Sequence, residues 1–367
     1  MKVAVIGLGF GDEGKGLVTD YLCSKLDTDV VVRYSGGQQA GHTVIRDGNR
    51  HVFSNLGSGT LQGVPTYWSK FCTVDPMGII NEKKVLEAVV DEVPPLYIDP
   101  EAPVTTPFDK YANQNSDKML KNGTCGCGVG TTFQREEDFY HLQWKDLYID
   151  SVFELKLKAI EDHYGFSIDT DEFINQCRKV RDDRRIVTGE FSIFEYDNIL
   201  FEGSQGLLLD QHHGFFPHVT RSNTGSKNIL KLVDDVTPWV VTRAYQTRHG
   251  NGPMTLENVE LNVEDNPNET NVSNKYQGKF RKSVLDLDLI SHGIQSDSFL
   301  RHKLVDGDIN LVITCMDQME KPLKLKYENR IIEYKSPRVF MIGIRGLLGI
   351  ENVFYSKGDT AEDIVPL

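Results

Sequence analysis

The sequence predicts an α/β fold of the P-loop-like kind: a mostly parallel central sheet flanked by helices, with inserted helical and loop segments. Three observations carry this. Short apolar runs enter glycine-rich loops at residues 3–8, 29–34 and 199–206, the pattern of buried parallel strands that end at a ligand crevice. The first loop is followed by "GLVTDYLCSKL", apolar at helical spacing, so that strand, loop and helix succeed one another. The composition, 39% hydrophobic and 25% charged over 367 residues, is that of a globular chain able to bury a large core.

Taken in order, residues 3–8 form the first strand, and Gly14 to Gly16 fall at a helix start, where free backbone N–H groups favour an anion. Residues 29–34 form a second strand that runs into "SGGQQAGHTV". "CTVDP" follows a short third strand, "NEKKVLEAVVDEV" reads as a helix, and residues 122–132, "NGTCGCGVGTT", are too rich in glycine for regular structure and read as a loop. The segment around 145–195 is charged and mostly helical in pattern, an insertion in the outer layer. "NILFEGSQGLLLD" and "PWVVTRAYQTRHGNGP" return to strand followed by glycine. "INLVITCMD" is a strand leading to Asp317, and "KLKYENRIIEY" and "RVFMIGI" alternate like late strands. No internal repeat or flexible linker interrupts the chain, so one domain over 1–367 is expected.

A net charge of −13 argues against nucleic acid or an anionic membrane as partner, while leaving room for a local basic pocket. No apolar run approaches the ~18 residues of a spanning helix, and the first residues lack a leader pattern, so a cytoplasmic location is expected. The six cysteines are scattered, and "CGC" has no second pair to complete a zinc site, so they read as reduced thiols. Sequons at Asn268 and Asn271 matter only in a secreted chain.

Gly9 to Gly16 nearly fits the phosphate-binding pattern G-x-x-x-x-G-K-[ST], with Gly16 where a magnesium-binding hydroxyl is normal and with Asp12 and Glu13 inside the loop. Lys15 at the helix start opposes the helix dipole unless an anion sits between them. Asp12 is then the candidate either to ligate magnesium or to act on a second substrate. In "GGQQAGHT", His42 is a candidate general acid, and the amides of Gln38 and Gln39 suit an uncharged heteroaromatic edge. Gln205 in "EGSQG" and Thr220 after "FPHV" read either as turn residues or as ligand contacts. Arg243, Arg248, Lys279, Arg281 and Lys282 are candidate carboxylate or phosphate clamps. Asp317 at a strand end either caps a helix or accepts from guanine N1–H and its amine. A P-loop GTPase or kinase would want Ser or Thr at 16, and a dehydrogenase would want an acid ~20 residues beyond the loop, at a strand end.

Together "GDEGKG", "GGQQAGHT", "FEGSQGLLLD", "FPHVT" and "TRHGNGP" resemble the adenylosuccinate synthetase family, in order and over nearly the whole chain. The resemblance implies a ligase that phosphorylates O6 of a purine monophosphate and then lets the amine of L-aspartate displace phosphate. It implies Asp12 as the base at purine N1 and as a magnesium contact, with the Gly41 carbonyl a further ligand, and His42 as the acid. It implies Lys15, with Gly11, Glu13, Gly14, Gly16, Gly41 and Thr43, around the nucleoside triphosphate, and Asp317 at the donor base. Gln39, Thr124, Cys125, Gln205, Thr220, Arg248, Lys279, Arg281 and Lys282 are implied substrate contacts, with the loop Gly123 to Thr131 near the acceptor phosphate. Departures are Gln38 and Gln39 for His-Asn, Cys127 for an arginine, Phe280 for an arginine at the ribose hydroxyls, and Cys315 for a lysine. These resemble the phage branch, which uses dGMP to make N6-succino-2-amino-2′-deoxyadenylate, whereas the retained Asp12 keeps IMP as the alternative. The resemblance implies ATP, dATP or GTP as the donor. The resemblance also implies a homodimer with an arginine crossing the interface, for which Arg135 is the candidate.

Overall fold

The computed structural model describes residues 1–192, 195–264, 266–267, 269–270 and 276–367, so both sequon asparagines lie outside the described residues. Along the chain come β1 (Lys2–Gly7), α1 (Lys15–Leu26), β2 (Val30–Arg33), the hairpin of β3 (His42–Arg46) and β4 (Asn49–Phe53), β5 (Thr66–Trp68), α2 (Pro76–Leu86) and β6 (Leu96–Ile98). Next are α3 (Pro107–Asn115), α4 (Asp117–Asn122), α5 (Val129–Glu137), α6 (Asp150–Tyr164), α7 (Asp171–Arg181) and β7 (Ile186–Thr188). The second half adds β8 (Ile199–Glu202), β9 (Thr237–Arg243), β10 (Gln246–His249), β11 (Phe280–Ser283), β12 (Leu285–Asp286), α8 (Leu287–Ser296), α9 (Ser298–Asp306) and β13 (Asn310–Thr314). It closes with the hairpin of β14 (Leu323–Tyr327) and β15 (Arg330–Tyr334), then α10 (Pro337–Leu348), β16 (Asn352–Ser356) and β17 (Ile364–Pro366).

Ten strands form one sheet in the order β17-β16-β13-β9-β1-β8-β2-β5-β6-β7. Every neighbouring pair is parallel except β16 with the edge strand β17. The α/β class with a mostly parallel central sheet is thus observed. Alternate residues of β1 feed opposite faces. Ala4 and Ile6 join Val32, Phe201, Val240 and Ile313, while Val3 and Val5 meet Val31, Leu200 and Val312 under Leu17, Val18 and Leu22 of α1. Burial on both faces explains why these strands read as continuous apolar runs. A separate cluster of Trp144, Phe153, Leu157, Phe173 and Val180 packs α6 and α7 against Leu96 and Ile98 of β6.

β1 lies between β8 and β9, so the chain reverses its direction of travel across the sheet there. In such sheets the crevice beyond the carboxyl ends of the strands at the reversal is the place for a ligand.

Three elements differ from the sequence expectation. "RVFMIGI" is helical: Phe340, Met341, Ile344 and Leu348 form one buried stripe, Pro337 opens the helix and Gly349 closes it in the left-handed conformation. α2 begins at Pro76 and ends at Leu86, because Leu86, Val90 and Val93 turn aside to pack with Val44, Phe53 and Leu56. The glycine-rich loop ends at Gly128, and Val129 already starts α5, with the Thr131 and Thr132 hydroxyls bonding Gly128 O at 2.8 and 2.9 Å. The hairpins β3–β4 and β10–β11 were not foreseen.

One buried carboxylate organises the segment after β4. Glu82 of α2 accepts from the backbone N–H groups of Ser54, Asn55 and Leu56 and from Asn55 Nδ2, at 2.6 to 3.3 Å. Replacing Glu82 by Ala leaves those donors unpaired in the interior and is expected to cost about 2–4 kcal/mol in urea unfolding. A change below about 0.5 kcal/mol would show that the segment does not depend on this side chain.

Candidate active site

A cavity of about 420 Å³ opens at the carboxyl ends of β1, β9 and β13. Gly11 to Gly16 form one wall, and Gly14, in the left-handed region at φ 91°, caps α1 with no side-chain hydrogen bond. The first-turn N–H groups of α1, which lack intrahelical partners, therefore open on the cavity. Three consecutive carbonyls of this loop are pinned. Gly11 O accepts from Thr247 Oγ1 at 3.3 Å, Asp12 O from Arg243 Nε, and Glu13 O from Thr314 Oγ1 at 2.7 Å.

The sequence leaves the Lys15 charge to a bound anion, whereas the structure supplies an internal one. Glu13, 3% exposed, takes Lys15 Nζ at 2.6 Å on one carboxylate oxygen and the N–H groups of Gly9 and Gly11 at 3.0 and 2.9 Å on the other. Asp12 sits at φ 62° with its carboxylate toward the cavity, and among the described residues no hydrogen bond reaches it. Burial pushes its pKa up to about 6, against the pull of Arg243 and Lys15.

The second loop brings Gln39, Gly41, His42 and Thr43 to the same cavity. His42 Nδ1 meets Glu202 Oε1 at 2.7 Å, and Glu202, completely buried at the end of β8, also receives Ser58 N at 3.0 Å and the Ser58 hydroxyl. Despite its burial, Glu202 is held at about 2, by His42, Arg33 and the Ser58 hydroxyl. Burial lowers His42, with Glu202 opposing. The contact to Nδ1 leaves Nε2 as the ring nitrogen not engaged by Glu202. A Cβ on Gly16 would come within 2.9 Å of His42 Cβ, which explains glycine where the phosphate-loop pattern has Ser or Thr. Both amide atoms of Gln39 are buried without a hydrogen-bond partner among the described residues, the condition of a side chain awaiting a ligand. Thr43 Oγ1 is 2.6 Å from Thr270 Oγ1.

Gln205 lines the cavity beside Gly11, and Asp317 lines its far end with Ser356, Gly358 and Asp359. Burial, then Asp359 and Asp363, push the Asp317 carboxyl up. Thr124, Cys125, Thr220, Arg248, Lys279, Arg281 and Lys282 are not brought to the cavity lining. Thr124 bonds Asn113 Oδ1 at 2.9 Å, and the Thr220 N–H bonds Leu209 O at 2.9 Å. Arg248 and Arg281 face each other across β10 and β11 and wrap the loop 250–253. Arg248 donates to Asn251 O, Pro253 O and His218 O, with its guanidinium 4.3 Å from the Phe10 ring. Arg281 donates to Gly250 O, Gly252 O and Glu257. A Cβ on Gly252 would lie 2.2 Å from Arg248 Nη2, so this wrapping requires glycine there. Lys279 is exposed, and Lys282 lies opposite Thr247.

Arg135 is not at a surface: it is completely buried, 3.0 Å from Asp109 and 2.8 Å from both Glu136 and Val104 O. Its hydrogen bonds lie inside the fold, so it does not fit the expected interface arginine. Glu202, Thr247 and Thr314, which support the cavity wall, escaped the sequence reading. Glu202 and Thr314 each end a buried apolar strand, which is the available signal. Arg243, read as a clamp for a ligand, lines the cavity and also donates to Asp12 O, Tyr245 Oη and Glu269.

The model of the adenylosuccinate synthetase family matches residues 4–321. Adenylosuccinate synthetase of Picrophilus torridus is 31% identical, over 89% of this chain and 79% of the relative, and that of Nitrosomonas eutropha is 29% identical, over 96% and 86%. Among solved structures, fully ligated adenylosuccinate synthetase from Plasmodium falciparum matches with a TM-score of 0.77 at 18% identity, covering 100% of this chain and 99% of that one. The succinoaminodeoxyadenylate synthetase of cyanophage S-2L, bound to dGMP and dATP, matches with a TM-score of 0.66 at 17% identity, covering 99% and 94%. On this likeness the chain belongs to the adenylosuccinate synthetase family and is a carbon–nitrogen ligase.

Proposed function

We propose that the chain joins the amine of L-aspartate to C6 of a 6-oxopurine 5′-monophosphate, driven by a nucleoside triphosphate through a 6-phosphoryl intermediate. The observation that carries this reading is one cavity holding the unpartnered Asp12 carboxylate, Lys15 at an open helix N-terminus and His42 held by Glu202. Asp12, at about 6, takes the N1 proton near neutral pH, and the charge passes to O6, which attacks the γ-phosphorus as the diphosphate leaves. Triphosphate charge favours the protonated form of His42, whose Nε2–H stabilises the negative charge at the reacting oxygen. The aspartate amine then adds at C6 and phosphate departs. Gln39 and Gln205 meet the purine edge, and Asp317 meets the donor base.

Magnesium fits this set of donors. Asp12 and Gly41 would hold it, since the ion takes one or two protein oxygens and completes its shell with phosphate oxygens and water, and it would neutralise charge on the triphosphate.

We propose dGMP as acceptor. Phe280 packs 5.5 Å from the Arg243 guanidinium and edge-on to His249, and its ring has no donor for a 2′-hydroxyl. The cyanophage relative carries dGMP and dATP. IMP with GTP is the second reading, favoured by the retained Asp12 and by the names of the sequence relatives. The active species is proposed to be a homodimer.

Asp12→Asn is expected to lower aspartate-dependent phosphate release by about 10²–10⁴-fold; turnover within a factor of about two would refute the assignment of the base. Glu202→Gln is expected to lower kcat by about 10–100-fold with little change in KM for the triphosphate, whereas an effect on KM alone would remove His42 from the chemistry. With dGMP, GMP, IMP and dIMP offered against GTP, ATP and dATP, dGMP is expected to have the highest kcat/KM. A tenfold preference for IMP establishes the second reading.

A further inference from the structure

Cys125 and Cys127 form a dithiol in the loop between α4 and α5. Gly126 between them, at φ 77°, turns the chain back on itself. Cys127 Sγ lies 3.9 Å from the Cys125 carbonyl oxygen, which folds the second thiol back over the first residue. Both are partly exposed, whereas Cys23, Cys72 and Cys177 are buried. The interaction of the two thiols makes the pair unequal, holding the Cys125 thiol below its usual value and, with burial, pushing Cys127 up. Such a pair has one sulfur suited to attack and a second placed to resolve.

We propose that Cys125 and Cys127 are a modification site, at which a low-molecular-weight disulfide such as glutathione disulfide forms a reversible intraloop disulfide that weakens binding of the monophosphate acceptor. The Cys125 thiolate attacks one sulfur of the incoming disulfide, whose S–S bond breaks, releasing one thiol and leaving a mixed disulfide on Cys125. Cys127 gives up its proton and attacks the Cys125 sulfur, and the second small thiol leaves with that proton. Two protein thiols are oxidised and one small disulfide is reduced to two thiols.

The loop is held from α3 and by the Tyr276 ring, which a Cβ on Gly126 would meet at 2.8 Å. Gln114 Nε2 donates to Gly126 O at 2.9 Å, and Asn113 Oδ1 receives Thr124 Oγ1 at 2.9 Å and Gly128 N at 3.3 Å. Drawing the sulfurs to bonding distance acts on these contacts and on Val129, whose Cγ2 would lie 3.1 Å from a Cβ at Gly37, at the root of the loop that carries Gln39. The consequence for the acceptor rests on the ligase reading, with residues 123–131 beside the acceptor phosphate.

The test treats the reduced protein with glutathione disulfide, alkylates free thiols and maps the peptides by mass spectrometry. The acceptor KM is then measured before oxidation, after it, and after dithiothreitol. The expected result is a peptide carrying both cysteines, lighter by two hydrogens and protected from alkylation, with KM raised about tenfold and restored on reduction. In Cys127→Ser the reaction is expected to stop at the Cys125 mixed disulfide, and Cys125→Ser, compared with its own untreated form, is expected to show no KM response, which also excludes a reaction at the cavity-lining Cys315. Full alkylation of both cysteines after treatment, or a linked peptide with unchanged KM, overturns the proposal. A reduced enzyme without aspartate-dependent turnover would instead sink the ligase reading. Equilibrium dialysis of the acceptor against both forms then still reads the effect of the thiol pair.

Discussion

The site depends on one buried ion pair inside the first loop. Lys15 and Glu13 are 3% and 4% exposed at their side chains and 2.6 Å apart. Glu13 solves two problems at once. It neutralises a cation that the helix dipole disfavours, and it satisfies the Gly9 and Gly11 N–H groups, which a bent glycine loop leaves without partners. Removing either charge alone would strand the other in the interior, at a cost on the order of 3–5 kcal/mol. The loop is therefore shaped before any ligand arrives, and an entering phosphate competes for an ammonium that is already in place.

That shape is imposed from outside the loop as well. Arg243 ends β9, Thr314 ends β13 and Thr247 lies on β10, and these three side chains hold the carbonyls of Asp12, Glu13 and Gly11. The strand order makes this geometry available, since β9 sits directly beside β1 and β13 beside β9. With their carbonyls tied, the loop residues are fixed in orientation, and Asp12 keeps a left-handed backbone that few non-glycine residues adopt. On the other side of β1, β8 delivers Glu202 to His42. One reversal of strand order thus brings the open start of α1 and His42 to one cavity.

The parallel sheet was legible because strands buried on both faces leave uninterrupted apolar runs, as in "VAVIG" and "NLVIT". "RVFMIGI" was not, because a short apolar run has no reliable period, and here Pro337 and Gly349, rather than the alternation, mark its ends as helical. At the site, glycine loops announced Asp12, Lys15, Gln39 and His42, all of which line the cavity. Arg248 and Arg281 were legible as charges but not as braces. Most of their donors go to backbone carbonyls of a loop adjacent in sequence to β10, the rest to His218 O and the Glu257 carboxylate, and nothing in residue type separates an arginine that awaits an anion from one that wraps a turn. Glu202 was missed for a related reason: a single acid at a strand end carries no pattern until the partner histidine is placed beside it.

Gly16 shows how these constraints select the chemistry. The β3–β4 hairpin packs His42 against the start of α1 so closely that any side chain at 16 meets His42 Cβ and the Thr43 carbonyl, at 2.9 and 3.1 Å. A side chain at 16 and this placement of the β3 backbone therefore exclude one another. With the hairpin so placed, a magnesium ligand could not come from the residue after the lysine. Glu13 is unavailable, because both of its oxygens are spent on the loop itself. Asp12 is the remaining acid of the loop, its carboxylate facing the cavity with no hydrogen bond among the described residues. On the proposed reading, the same carboxylate serves metal and purine because the hairpin packed on the start of α1 has displaced the usual alternative.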